Sequence, residues 1–126
     1  MILDSNIIIY SVMPDNFKIR DFLKNGESEL HVSAISKIEV LGYHKLTPEE
    51  KLLFESFFNS INIIQVTNAV IERAIKIRQK RNVSLGDSII AASALVNHKK
   101  IFTNNEDDFY GISDIEIITM KSILSS

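Results

Sequence analysis

The stretch Met1-Ile2-Leu3-Asp4-Ser5-Asn6-Ile7-Ile8-Ile9-Tyr10 opens the chain and decides how the rest is read. Met1 to Asp4 is a short apolar run ending on an acid, which reads as a strand. The Ile-rich segment Asn6 to Val12 is ambiguous between strand and helix by itself. Asp4 and Ser5 offer capping side chains, so a helix is expected to start there and Pro14 to stop it. A strand that runs into a helix through a carboxylate sets the pattern for the remaining chain.

Moving outward, Asp15 to Lys24 places Phe17, Ile19, Phe22 and Leu23 at helical spacing, and Asn25-Gly26 ends that helix. Glu29 to Ser33 alternates as a second strand, and Ala34 to Tyr43 reads as helix. Thr47-Pro48-Glu49-Glu50 is a capping box with Pro at the first helical position, opening a helix to about Asn59 that carries Leu53, Phe54, Phe57 and Phe58. Ile61 to Val66 is a β-branched run expected to be a strand buried on both faces. Thr67 caps a helix to about Arg81, with Val70, Ile71, Ala74 and Ile77 as its apolar stripe. Ser84 starts another, with Leu85, Ile89, Ala92 and Val96 aligned. Lys100 to Thr103 and Ile115 to Thr119 complete five strands. Strands separated by helices predict an α/β fold, a short and mostly parallel five-stranded sheet flanked by helices on both faces.

Composition bounds the function. The chain has 126 residues, expected to form one domain over 1–126, with 45% hydrophobic and 24% charged residues, which excludes a disordered chain. There is no cysteine, so disulfides, thiolate zinc sites and a Cys nucleophile are out. The net charge is −2, so nucleic-acid binding would need a local basic patch. The N-terminus lacks a basic leader region, and no apolar run is long enough to span a bilayer. A cytoplasmic protein with no membrane role is expected.

Acids follow the strands. Asp4 ends the first, Glu39 lies one turn into the helix after the second, Asp87 lies in the first turn of the Ser84 helix, and Glu106, Asp107 and Asp108 follow the fourth. Asn6, Ser36 and Asn105 add neutral oxygens. Ligands of parallel sheets sit beyond the carboxyl ends of the strands, so these acids are expected to converge there. Gathered carboxylates repel one another unless a hard cation such as Mg²⁺ or Mn²⁺ joins them. Each acid also has a structural reading. Asp4 serves as an N-cap, Ser36-x-x-Glu39 and Ser84-x-x-Asp87 both match capping boxes, and Asp107 and Asp108 suit a solvated loop.

The same residues carry a family resemblance. Leu3-Asp4-Ser5-Asn6 resembles the opening motif of PIN-domain nucleases, a strand ending in Asp-x-Asn. Ser36-Lys37-Ile38-Glu39 resembles the second motif, Gly86-Asp87-Ser88-Ile89-Ile90-Ala91-Ala92 the third, and Thr103-Asn104-Asn105-Glu106-Asp107-Asp108-Phe109 the fourth. The order holds over residues 1 to about 118, and the small size is similar to the VapC toxins of bacterial toxin–antitoxin pairs. The resemblance implies a PIN-like three-layer sandwich and a Mg²⁺-dependent endoribonuclease. It implies Asp4 and Asp87 as metal ligands, Glu39 completing the site and Asp108 as fourth acid. Some relatives carry Asp where this chain has Asn105, which leaves the fourth ligand among Asn105, Asp107 and Asp108. A homodimer and a cognate antitoxin lying across the groove are also implied.

The chemistry expected of such a site is water attack in line on the phosphodiester. Asp4 and Asp87 would hold the cation, Glu39 or Asp108 would orient or deprotonate the water, and a 5′-phosphate and 3′-hydroxyl would result. Arg73, Lys76 and Lys80 share one helical face and read either as a phosphate-contacting ridge for RNA or as a solvated surface. Phe54, Phe57 and Phe58 read as core, with a dimer or antitoxin contact as the sharper option. His31, His44 and His98 sit in no ligand spacing. A phosphoacceptor receiver fold is excluded because Val66-Thr67-Asn68 has no Asp after the third strand. A structure-specific DNA nuclease would need helical modules that this length cannot hold. An inactive PIN-like module that binds RNA or protein is the alternative.

Overall fold

The computed structural model describes residues 1–12, 16–25 and 29–125. Its strands are β1 (Ile2–Leu3), β2 (His31–Ser33), β3 (Asn62–Ile64), β4 (Ile101–Thr103) and β5 (Ile117–Thr119). Its helices are α1 (Ser5–Ser11), α2 (Phe17–Asn25), α3 (Ala34–Leu41), α4 (Pro48–Asn59), α5 (Asn68–Lys80), α6 (Leu85–Val96) and α7 (Met120–Leu124), with a 3-10 turn at Glu106–Asp108. The expected stops at Pro14 and Gly26 lie outside the described residues, as does the expected helix start at Asp15.

The sheet runs β3-β2-β1-β4-β5 and every adjacent pair is parallel. Successive strand side chains point to opposite faces. Ile2 and Ile101 therefore join one core with Val70, Ala74, Ile90 and Ala91, while Leu3 and Phe102 join another with Ile7, Ile8, Phe54 and Phe58. Two cores on one sheet make the three-layer sandwich. Ile2, Leu3, Ile101 and Phe102 have no solvent exposure, and each such side chain contributes on the order of 2 kcal/mol.

Several local expectations are corrected. Ile61–Val66 forms only a three-residue strand at the sheet's edge, where Ile63 and Ile64 are half-buried and Asn62 is exposed. An edge strand has a neighbour on one side only, so it is not sealed on both faces. On α6 the buried residues are Ile90, Ala91, Ala92 and Ala94 with Ser88 and Ser93, while Leu85 is exposed. The helix is covered by the sheet and by α5, so its buried arc is wider than a single stripe. Ile71 and Leu53 are likewise exposed. Phe54 and Phe58 are core, and Phe57 packs edge-to-face on Phe58 at 5.4 Å. The capping box at Thr47 is present in both directions.

In a parallel sheet all carboxyl ends share one edge. From β1 the chain goes to β2 on one side, and it later returns to β4 on the other. That reversal opens a crevice beyond the end of β1.

Candidate active site

Asp4 stands at the mouth of the crevice, in the first position after β1, and is almost wholly buried. It caps α1, with Oδ1 accepting from the Ser5 N–H at 2.8 Å, and Oδ2 accepts from Thr103 Oγ1 at 2.8 Å. The structural reading of Asp4 as a cap is thus correct and leaves a lone pair on each oxygen. Burial pushes its carboxyl above the ordinary range, against both hydrogen bonds, and the charges of Asp108 and Glu39 push the same way. Asp87, in the first turn of α6 under its cap Ser84, is pushed up to about 6, chiefly by burial and then by Asp108, Asp4 and Glu39. Four carboxylates from distant stretches of chain therefore feel one another.

Glu39 is held differently from its expected cap role. Ser33, not Ser36, caps α3 and accepts from Ile35 N–H. Ser36 thus sits inside the helix, where Glu39 cannot close a capping box. Instead Ser5 Oγ lies 2.9 Å from both Ser36 Oγ and Glu39 Oε1. One hydroxyl proton serves one acceptor at a time, and a relay from Ser36 through Ser5 to Glu39 satisfies all three groups. Opposite, the backbone of Gly86 meets the same carboxylate. A Cβ there would lie 2.6 Å from Glu39 Oε2, so only glycine admits that approach.

In the fourth motif Asp108 is the acid whose charge reaches Asp4 and Asp87, and its side chain is half-buried. Asp107, Asn105 and Asn6 are exposed. Asn105 contributes through its backbone, donating its N–H to Thr103 Oγ1 at 3.0 Å. The sequence reading gives Ser5 only a capping role and Gly86 and Thr103 only a place in the quoted motifs, none of them a contact with an acid. A glycine within a helical turn was the one available signal, since it weakens a helix without evident local gain.

The donor set suits a hard divalent cation. Carboxylates dominate it, and no cysteine competes. Among the described residues no three acids or histidines already stand at the spacing of a closed metal shell. Direct contact through one or two carboxylates, with water completing the sphere, is the arrangement open to such an ion.

A wholly parallel α/β sandwich with an acidic crevice at its switch point defines the class of protein. The PIN domain family model matches residues 1–115, and the chain belongs to that family. No protein in a search of curated proteins matches it. Solved structures do. A toxin–antitoxin complex from Klebsiella pneumoniae is 25% identical with a TM-score of 0.77, covering 94% of this chain and 95% of that one. DNA-bound VapBC from Salmonella typhimurium is 24% identical at 0.82, covering 94% and 96%. VapBC-1 from nontypeable Haemophilus influenzae is 22% identical at 0.77, with the same coverage. The latter two share the fold.

Proposed function

We propose that this chain is a divalent-metal-dependent endoribonuclease, one PIN domain over residues 1–126, acting as the toxin of a toxin–antitoxin pair. The observation that carries the chemistry is the convergence of Asp4, Glu39, Asp87 and Asp108, where burial first, and then repulsion from the neighbouring acids, raises the Asp4 and Asp87 carboxyls above their ordinary range. Mg²⁺, or Mn²⁺ in its place, would be held by Asp4 and Asp87, offsetting that repulsion and supplying a Lewis acid and a water of lowered pKa. Thr103 and the Ser5 N–H fix Asp4 in orientation. Glu39, held by Ser5 and admitted by Gly86, or Asp108 takes the proton of the attacking water. Attack in line leaves a 5′-phosphate and a 3′-hydroxyl.

The toxin role is supported by the company of structures, which are toxin–antitoxin complexes. It brings a cognate antitoxin over the crevice, a homodimer and a cytoplasmic setting. No helix among the described residues is long and apolar enough to cross a membrane. The test is cleavage of RNA with and without Mg²⁺. Asp4→Asn and Asp87→Asn should each abolish Mg²⁺-dependent cleavage while circular dichroism stays native. Full activity in either variant overturns the mechanism, and an inert wild type with Mg²⁺ present leaves a binding module.

A further inference from the structure

A crevice of carboxylates repels the polyanion it is to cut, so an RNA strand needs a cationic hold beside it. Arg73, Lys76, Lys80 and Arg81, all from α5 or the residue that ends it, line one cavity of about 200 Å³. The first three were expected to share a face, whereas Arg81 is added by the fold. No acid lines this cavity. Among the described residues none of the four cations forms an ion pair. The chain as a whole is acidic, so four like charges without a counter-charge mark a place that an anion would relieve.

Arg81 is the sharpest member. Its Nε is buried and has no hydrogen-bond partner. A Cβ at Gly111 would lie 2.9 Å from its Nη1, and Gly111 adopts a φ of 84°, where glycine is at ease. The loop after β4 thus makes room for this guanidinium. Ile77 and Ile112 give the cavity apolar wall. Both flanking segments lead to the crevice. Asp108 is three residues before Gly111, a reach of at most about 11 Å. Ser84, three residues after Arg81, caps the helix of Asp87.

We propose that this cavity is a phosphate subsite for single-stranded RNA, taking on Arg81, Lys76 and Lys80 a backbone phosphate one or a few nucleotides from the one at the carboxylates. The attached sugar or base lies against Ile77 and Ile112. The choice of RNA rests on the nuclease function proposed for the carboxylates.

The test uses a short 2′-O-methyl oligoribonucleotide in EDTA, so that binding is read without cleavage. Affinity is measured against salt for the wild type, Arg81→Gln and the double variant Lys76→Gln/Lys80→Gln. The two lysines are exposed, so the double variant keeps its fold even if Arg81→Gln does not. Loss of the one phosphate contact should shrink the slope of log affinity on log salt by up to about 0.7 and weaken binding several-fold at low salt. Inorganic phosphate alone should shift the amide resonances of Gly111 and Ser113 in the wild type and not in Arg81→Gln. Unchanged slope and affinity in the folded variants overturn the proposal. So does a phosphate response with no effect on the oligonucleotide, which would make the cavity a site for free phosphate. A wild type that cleaves nothing with Mg²⁺, yet shows the slope change, fails the nuclease reading and keeps the subsite. Cleavage with an unchanged slope does the reverse.

Discussion

Thr103 Oγ1 stands between two demands, donating to Asp4 Oδ2 and accepting from the Asn105 N–H. Thr103→Val keeps the shape and removes both bonds in a fully buried place. Stability should fall by about 1–3 kcal/mol, since a buried carboxylate oxygen and an amide lose partners. Thr103 holds the Asp4 pKa down, so its loss raises that pKa and moves the acid limb of the cleavage profile to higher pH. An unmoved limb would show that Asp4 does not titrate in the reaction. Gly86 predicts the opposite division. Gly86→Ala replaces a poor helix former, so melting should not fall. The new methyl displaces the Glu39 carboxylate, which is the end of a flexible side chain, away from Ser5. Single-turnover cleavage should drop by about 10–100-fold, as expected for a misplaced catalytic group, with RNA binding retained. Native turnover would remove Glu39's position from the mechanism. The acids were legible because their residue types and order carry the chemistry. The contacts of Ser5, Gly86 and Thr103 with those acids were not, because each meets a carboxylate far away in sequence.

Elements divide in the same way. Those with local punctuation were readable: the Thr47 box opens α4 at Pro48, and Thr67 and Ser84 cap α5 and α6. Strands of three residues have too little length for periodicity to report which strand is central. The run Ile61–Val66 looks more buried than Ile2–Leu3, yet the sheet order puts it at the edge and β1 at the centre. Long-range pairing decides that, and no local pattern does. The same limit hid α7, whose five residues follow β5 directly from the cap Thr119. A capping prediction belongs here. Thr47→Ala removes the bond from the Glu50 N–H to Thr47 Oγ1 and leaves the one from the Thr47 N–H to Glu50, on a helix that supplies none of the four carboxylates, costing about 0.5–2 kcal/mol. Cleavage per folded molecule should be native. Lost cleavage at full folding would tie α4 to the site.

For the molecule as a whole, the crevice stores a proton-dependent cost that a bound cation would relieve. Asp87 titrates at about 6 when folded, against an ordinary value of about 3.9 in the unfolded chain. Between these values the native state binds more protons, so metal-free stability falls as pH rises through the window. Asp4 is shifted in the same direction. His31 works against it, since burial lowers its pKa and the unfolded chain then binds more protons below the usual histidine range. Comparison with Asp87→Asn removes that complication, because His31 is common to both. Without metal, Asp87→Asn should melt above the wild type at about pH 7, and the gap should close toward about pH 3, below the unfolded value, where Asp87 is mostly protonated in both states. Added Mg²⁺ should raise the wild-type melting temperature more at about pH 7 than at about pH 5, because protons compete for the same oxygens. The variant should gain less at either pH. An equal Mg²⁺ shift in wild type and variant would place the cation away from Asp87, and a metal-free gap independent of pH would mean that this carboxylate carries no strain for a cation to relieve.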